Sequence, residues 1–231
     1  MNKAFYIVIY IFLFFLASCN SGKRAGQMNR ILTEADSLNH NYIRIDTLKN
    51  IEQACDYFIE NGNREDKTNA FYIKGAMYRD KGDAPRALDN FQNSISLIDT
   101  TECDSSAYAF LSKVYAETAM ILYNQGLYSN ALANISHAID YASLSGDTLR
   151  MLSYEAQIPS IYSEQKKYSK AITEALKMYH RYLNFNRPAE ANTCLVSVFV
   201  SLMNMGKYHE AKKYIDTYIA NSLFTGKQRI L

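Results

Sequence analysis

The chain has 231 residues, 48% of them apolar and 21% charged, with 25 basic and 23 acidic side chains giving a net charge of +2. That length suits one domain with a sizeable core or a short solenoid, and that apolar share belongs to a folding chain rather than a disordered one. A nearly neutral chain without a clustered basic face gives no electrostatic case for nucleic acid, and nine glycines with three prolines favour helices over a turn-rich all-β fold.

Met1-Asn2-Lys3 places one positive charge ahead of an apolar run from Ala4 to Ala17. Fourteen residues of helix span about 21 Å, short of the roughly 30 Å hydrocarbon core of a bilayer. Residues 1–18 therefore read as a signal peptide rather than a membrane span. The run closes on Leu16-Ala17-Ser18-Cys19, which resembles the lipobox of bacterial lipoproteins. The resemblance implies cleavage before Cys19, a diacylglyceryl thioether on its sulfur and acylation of the new amine. A single acyl chain holds weakly and two or more hold firmly. An ordinary signal peptide followed by a chance cysteine is the alternative. Residues 19–27 are polar and lack apolar periodicity, and are predicted to be a flexible lipidated tether. By analogy with envelope lipoproteins, Asn20 in place of Asp, followed by basic Lys23-Arg24, implies the outer membrane, facing the periplasm.

Met28, Ile31, Leu32, Ala35 and Leu38 form one helical stripe, and Leu48, Ile51, Ala54, Phe58 and Ile59 another. They predict an N-terminal helical pair over 28–63, with Asn61-Gly62-Asn63 as its exit turn. Cys55, Cys103 and Cys194 follow Cys19, and three thiols cannot all pair with one another. Buried free thiols and a Cys55–Cys103 disulfide both remain open.

Beyond residue 66 the chain repeats itself. The decapeptides at 82–91, 126–135, 166–175 and 206–215 each carry alanine at the sixth place: Ala87, Ala131, Ala171 and Ala211. Gly82, Gly126, Lys166 and Gly206 precede these alanines by five residues, and apolar positions at helical spacing run on both sides. Each unit is thus predicted to be helix, turn, helix. The glycine permits the left-handed residue that ends the first helix, and the alanine stays small where the two helices cross. Asp83 is expected to cap a helix with Pro85 in its first turn, and residues 100–106, 145–147 and 186–188 to separate the units. Pro159 falls inside a predicted helix, where it removes a hydrogen bond and forces a kink. That kink is either a tolerated bend or a change of curvature that opens a pocket.

These residues resemble the tetratricopeptide repeat, most closely in the first unit with Phe71, Gly75, Tyr78, Gly82, Ala87 and Phe91. The second unit is a good match, and the third and fourth keep only the second-helix pattern. Spacings of 44, 40 and 40 residues exceed the usual repeat, and the terminal proline of each repeat is missing. The resemblance covers about 66–221 and implies an all-α, right-handed α-solenoid of about four TPR-like repeats plus the N-terminal pair. Residues 222–231 are expected to begin a further helix, an incomplete cap.

No catalytic constellation is present. The histidines at 40, 137, 180 and 209 are scattered, and no metal-ligand spacing, phosphate-binding glycine loop or nucleophile elbow occurs. The chain is therefore expected not to be an enzyme and to need no cofactor and no metal. The resemblance instead implies a groove lined by the first helix of each repeat. Its positions are Asn69, Tyr72, Ala76, Arg79 and Asp80 in unit one, and Lys113, Ala116, Met120, Tyr123 and Asn124 in unit two. Units three and four supply Ser153, Ala156, Ser160, Ser163 and Glu164, then Thr193, Val196, Val200, Met203 and Asn204. Small, polar and lightly aromatic, this lining suits an extended peptide or a helix. It lacks the Lys and Asn that some relatives use at positions 72 and 76 to clamp a C-terminal carboxylate. The leading expectation is a lipid-anchored envelope adaptor for protein or peptide partners, touching the membrane through lipid on Cys19. The alternative is the extracytoplasmic repeat portion of a truncated signalling or transcriptional regulator.

Overall fold

The computed structural model describes the backbone of residues 3–101 and 103–228, and the side chains of 22–101 and 103–222. The signal-peptide reading of 1–18 and the lipidation of Cys19 lie outside the described side chains. Every regular element among the described residues is an α-helix. Two compact units emerge, residues 1–100 and 101–231.

Unit 1 contains α1 (Lys3–His40), α2 (Ile51–Asn61), α3 (Arg64–Lys81) and α4 (Ala84–Ser96). The predicted N-terminal pair is α1 with α2. α1 begins upstream of Met28, so residues 19–27, expected from sequence to be a flexible tether, lie within a helix. Met28, Leu32 and Ala35 are buried on one of its faces, as are Ile51, Ala54 and Cys55 on α2. α3 starts at a capping box in which Asn63 accepts from the Asp66 N–H and Asp66 accepts from the Asn63 N–H. α3 and α4 cross at Gly75, where an added Cβ would stand 2.5 Å from the ring of fully buried Phe91.

Unit 2 contains α5 (Ser105–Asn124), α6 (Tyr128–Leu144), α7 (Thr148–Glu155), α8 (Ile158–Glu164), α9 (Tyr168–Asn184), α10 (Pro188–Asn204) and α11 (Tyr208–Gln228). Asp104 and Asp147 cap α5 and α7, accepting from Ala107 and Arg150 N–H at 2.8 and 2.9 Å. The seam alanines Ala131, Ala171 and Ala211 are buried, as is Ala87 in unit 1. Ala175, Val198, Leu202 and Ala211 form one core where α9, α10 and α11 meet, and Leu152, Met178, Tyr182 and Ala191 another between α7, α9 and α10. α11 runs unbroken through the residues expected to begin a separate capping helix.

One turn recurs at all four hairpins. Gly82, Gly126, Lys166 and Gly206 have φ of 78°, 75°, 59° and 74°. In each case the following N–H donates back to the carbonyl five residues earlier: Asp83 to Tyr78, Leu127 to Leu122, Lys167 to Tyr162 and Lys207 to Leu202, all at 2.9 Å. This is the Schellman closure of a helix end. Lys166 therefore adopts the left-handed turn that glycine makes in the other three units.

Pro159 does not sit inside one continuous helix. The chain breaks into α7 and α8 at Ala156-Gln157, which places buried Pro159 in the first turn of α8, where its missing N–H costs nothing. The Ala156 and Gln157 N–H groups donate to Leu152 and Tyr154 carbonyls at 3.0 Å. An ion pair from Arg181 of α9 to Glu155 holds the end of α7.

Cys55, Cys103 and Cys194 form no disulfide, so the Cys55–Cys103 pairing is not made. Burial pushes the Cys55 thiol up to about 12 and the Cys194 thiol up to about 11. Both behave as small apolar side chains.

Candidate functional site

The structure separates the expected groove positions into two kinds. In unit 1 the expectation fails at Tyr72 and Ala76, which are fully buried. The Tyr72 ring stacks on Phe91 with centroids 5.8 Å apart, and its hydroxyl accepts from Asn39 Nδ2 of α1 at 2.6 Å. Arg79 donates to the same Asn39 through Oδ1 at 2.9 Å and pairs with Asp80 at 2.7 Å. The loop after α1 completes the cover: Ile45 N–H donates to Asp80 Oδ2 at 2.8 Å, and Arg44 Nη2 to the Asp80 carbonyl at 2.7 Å. Asn69 lies apart, half-buried at a small polar hollow with Asn29, Asp36 and Phe58.

In unit 2 the corresponding positions stay open. Ala119, Met120 and Tyr123 of α5 face Ala156 and Gln157 of the break and Ser160 and Ile161 of α8 across a cleft of about 250 Å³. Ala119 and Ile161 form its buried floor, while Met120 is 44% exposed. Of the predicted residues, Met120, Tyr123, Ala156 and Ser160 thus meet in one place. Glu164 lies one turn beyond Ser160, and the Tyr128 hydroxyl donates to its Oε2 at 3.4 Å. The Tyr123 and Tyr128 rings meet edge to face at 5.7 Å. Burial, with the Glu164 charge behind it, raises the Tyr123 hydroxyl above the usual phenol range. Lys113 and Asn124 lie on α5 outside the lining, and Val196 and Met203 are exposed on α10.

Sequence reasoning missed Gln157, which matters because it lines the cleft. The signal was Pro159 itself. A break two residues before a proline turns the preceding side chains out of the register of an unbroken helix.

Among the described residues, no group of three or more His, Cys, Asp or Glu side chains is arranged to hold a metal, and no helix is long and apolar enough to cross a membrane.

No family model matches the chain, and no curated protein matches it in sequence. Solved structures do match. A Podosopora anserina chain of kinesin light chain type, with nearly identical TPR-like repeats, superposes with a TM-score of 0.69 over 88% of this chain and 98% of its own, at 11% identity. Aspartyl phosphate phosphatase F from Bacillus subtilis gives 0.66 over 85% of this chain and 50% of its own, at 16% identity. MamA gives 0.58 over 84% and 96%, at 14% identity. At such identities the likeness shows the fold, which is an α-solenoid of TPR-like repeats.

Proposed function

We propose that this chain is a non-catalytic, lipid-anchored adaptor of the bacterial cell envelope that binds protein or peptide partners through unit 2. One observation carries the binding half. In the cleft between α5 and α8, Met120 stands exposed over an apolar floor beside Gln157 and Ser160, two side chains with no hydrogen-bond partner among the described residues. On the equivalent helix of unit 1, polar groups are bonded internally. Polar groups left unpaired beside an apolar floor suit a ligand that brings both apolar surface and hydrogen bonds. The fold supports this reading by analogy, since stacked helical hairpins in general serve as docking surfaces. The anchoring half rests on Leu16-Ala17-Ser18-Cys19, and the outer-membrane, periplasm-facing location on Asn20 after the cysteine.

Site-specific photocross-linking in envelopes tests the binding half. A benzophenone side chain at Met120 is expected to give discrete protein adducts, and one at Ser136, exposed on α6, is not. Equal adducts from both positions would remove the cleft as the docking surface. Radiolabelled palmitate tests the anchor: label on the wild type and none on Cys19→Ala is expected, and equal labelling would refute lipidation at that residue.

A further inference from the structure

The cleft between α5 and α8 has the chemistry to select among peptides, and this inference rests on the docking role proposed above. Its volume of about 250 Å³ lies below the ~300–1,000 Å³ of small-molecule pockets, so it takes one side chain rather than a cofactor. Ala119 and Ile161 make that side chain apolar. At the wall, Gln157 offers an amide with both donor and acceptor, the complement of a peptide group. One turn along α8 stands the Glu164 carboxylate, flanked by the rings of Tyr123 and Tyr128. An exposed carboxylate next to a pair of tyrosines receives a lysine or arginine well, because the charge pairs with the acid while the stem packs on aromatic surface.

Between Thr101 and Glu164 the chain carries seven acidic and two basic residues, a net charge of −5. Two exposed lysines, Lys166 and Lys167, follow Glu164 in the turn before α9, and Lys170 lies over the Tyr162 ring, 4.3 Å from its centroid. Spacing adds a further constraint. Four helical residues advance about 6 Å, from Ser160 to Glu164. An extended peptide places side chains on one face every two residues, about 6.6 Å apart.

We infer that the α5–α8 cleft recognises an extended peptide segment in which a bulky apolar residue lies two positions from a lysine or arginine. The apolar side chain enters over Ala119 and Ile161, and the cation rests on Glu164 against Tyr123 and Tyr128.

An immobilised array of synthetic decapeptides, probed with the full chain in detergent, tests this. Leu-x-Lys and Phe-x-Arg peptides are expected to bind most strongly. Replacing the apolar residue by Ser, or the basic one by Glu, is expected to weaken binding about fivefold or more, in keeping with a lost buried contact or close charge pair. Glu164→Lys in the protein should shift preference to Leu-x-Glu, and Ser160→Tyr should abolish binding while leaving the helical circular dichroism intact. If peptides bind without regard to either residue yet still fail with Ser160→Tyr, the selectivity is wrong and the docking role survives. Binding that Ser160→Tyr leaves unchanged puts the site elsewhere. If no peptide binds the wild type, the docking role falls and this inference falls with it.

Discussion

α3 of unit 1 and the α5–α8 pair of unit 2 occupy equivalent places in the repeat pattern and use their exposed-by-pattern positions in opposite ways. On α3, Tyr72, Arg79 and Asp80 are bonded to Asn39, Arg44 and Ile45 from α1 and its following loop. On α5 and α8, Met120, Gln157 and Ser160 face an open cleft. A buried polar network is stabilising only when every member is satisfied, whereas a docking surface needs groups left unsatisfied. The repeat pattern is silent on which role a position takes, because the neighbouring helix decides it.

The largest effect expected from breaking this contrast is at Gly75. A methyl group there would meet the Phe91 ring at 2.5 and 2.6 Å and the Ala87 carbonyl at 3.2 Å. Phe91 is fully buried and stacked on Tyr72, so it has nowhere to move. Gly75→Ala is expected to destabilise the chain by about 2–3 kcal/mol through overpacking. By contrast, Ser160→Tyr, on the exposed side of α8, should stay within about 0.5 kcal/mol of wild type. Denaturant unfolding followed by circular dichroism measures both. Equal costs would mean that the α5–α8 cleft is as tightly packed as the α3–α4 crossing.

The hairpin framework beneath this contrast was legible in the sequence, and the contrast itself was not, for a physical cause. The alanine-anchored decapeptides identified every hairpin, because a small residue at a helix crossing and a left-handed residue before it are local requirements. Even Lys166 was placed correctly, since the register of Ala171 left no other residue for the turn. The covering of Tyr72 was not legible, because it depends on contacts between residues 33 to 40 apart in sequence that leave no periodic trace. The role of Gln157 was hidden because groove positions were counted along an unbroken helix, and Pro159 divides it.

Cys55 gives the next effect in size. It is fully buried beneath the Lys74–Asp56 and Tyr78–Glu52 pairs of unit 1, and its thiol is pushed up to about 12 by burial. In the unfolded chain a thiol titrates near ~8.5. Between these values the native state holds a proton that the unfolded state has lost, so stability is full below about pH 8.5 and falls as pH rises towards 12. The slope from one thiol is at most about 1.4 kcal/mol per pH unit. Unfolding of Cys55→Ala should show a shallower loss than wild type between pH 9 and pH 10.5, as order-of-magnitude bounds on that window. Parallel losses would show that Cys55 is not held neutral.

Tyr72→Phe and Tyr123→Phe sharpen the comparison directly. The first removes the acceptor for Asn39 Nδ2, a buried donor, and is expected to cost about 1–2 kcal/mol. The second removes a hydroxyl from the cleft wall and should leave stability nearly unchanged while weakening retention of basic peptides. Equal stability losses would erase the distinction between an internally bonded position and an open one.

Lys166 offers the smallest effect, and it is a gain. Its φ of 59° lies where an L side chain crowds its own backbone, at a cost of about 1 kcal/mol relative to glycine. Glycine costs more backbone entropy on folding, which offsets part of that sum. The Lys166 side chain is exposed and forms no hydrogen bond or ion pair, so its removal forfeits no contact. Lys166→Gly is therefore expected to stabilise the chain by about 0.5 kcal/mol, read as a small rise in the denaturation midpoint. The reverse change, Gly126→Lys, imposes the same crowding at the equivalent turn and should cost about 1 kcal/mol. Asn186, with φ of 56°, supplies the internal control. Asparagine tolerates this conformation better than lysine, so Asn186→Gly should gain less than Lys166→Gly. If Lys166→Gly brought no gain while Gly126→Lys was costly, the turn before α9 would be relieved by its surroundings and the four hairpins would not be equivalent.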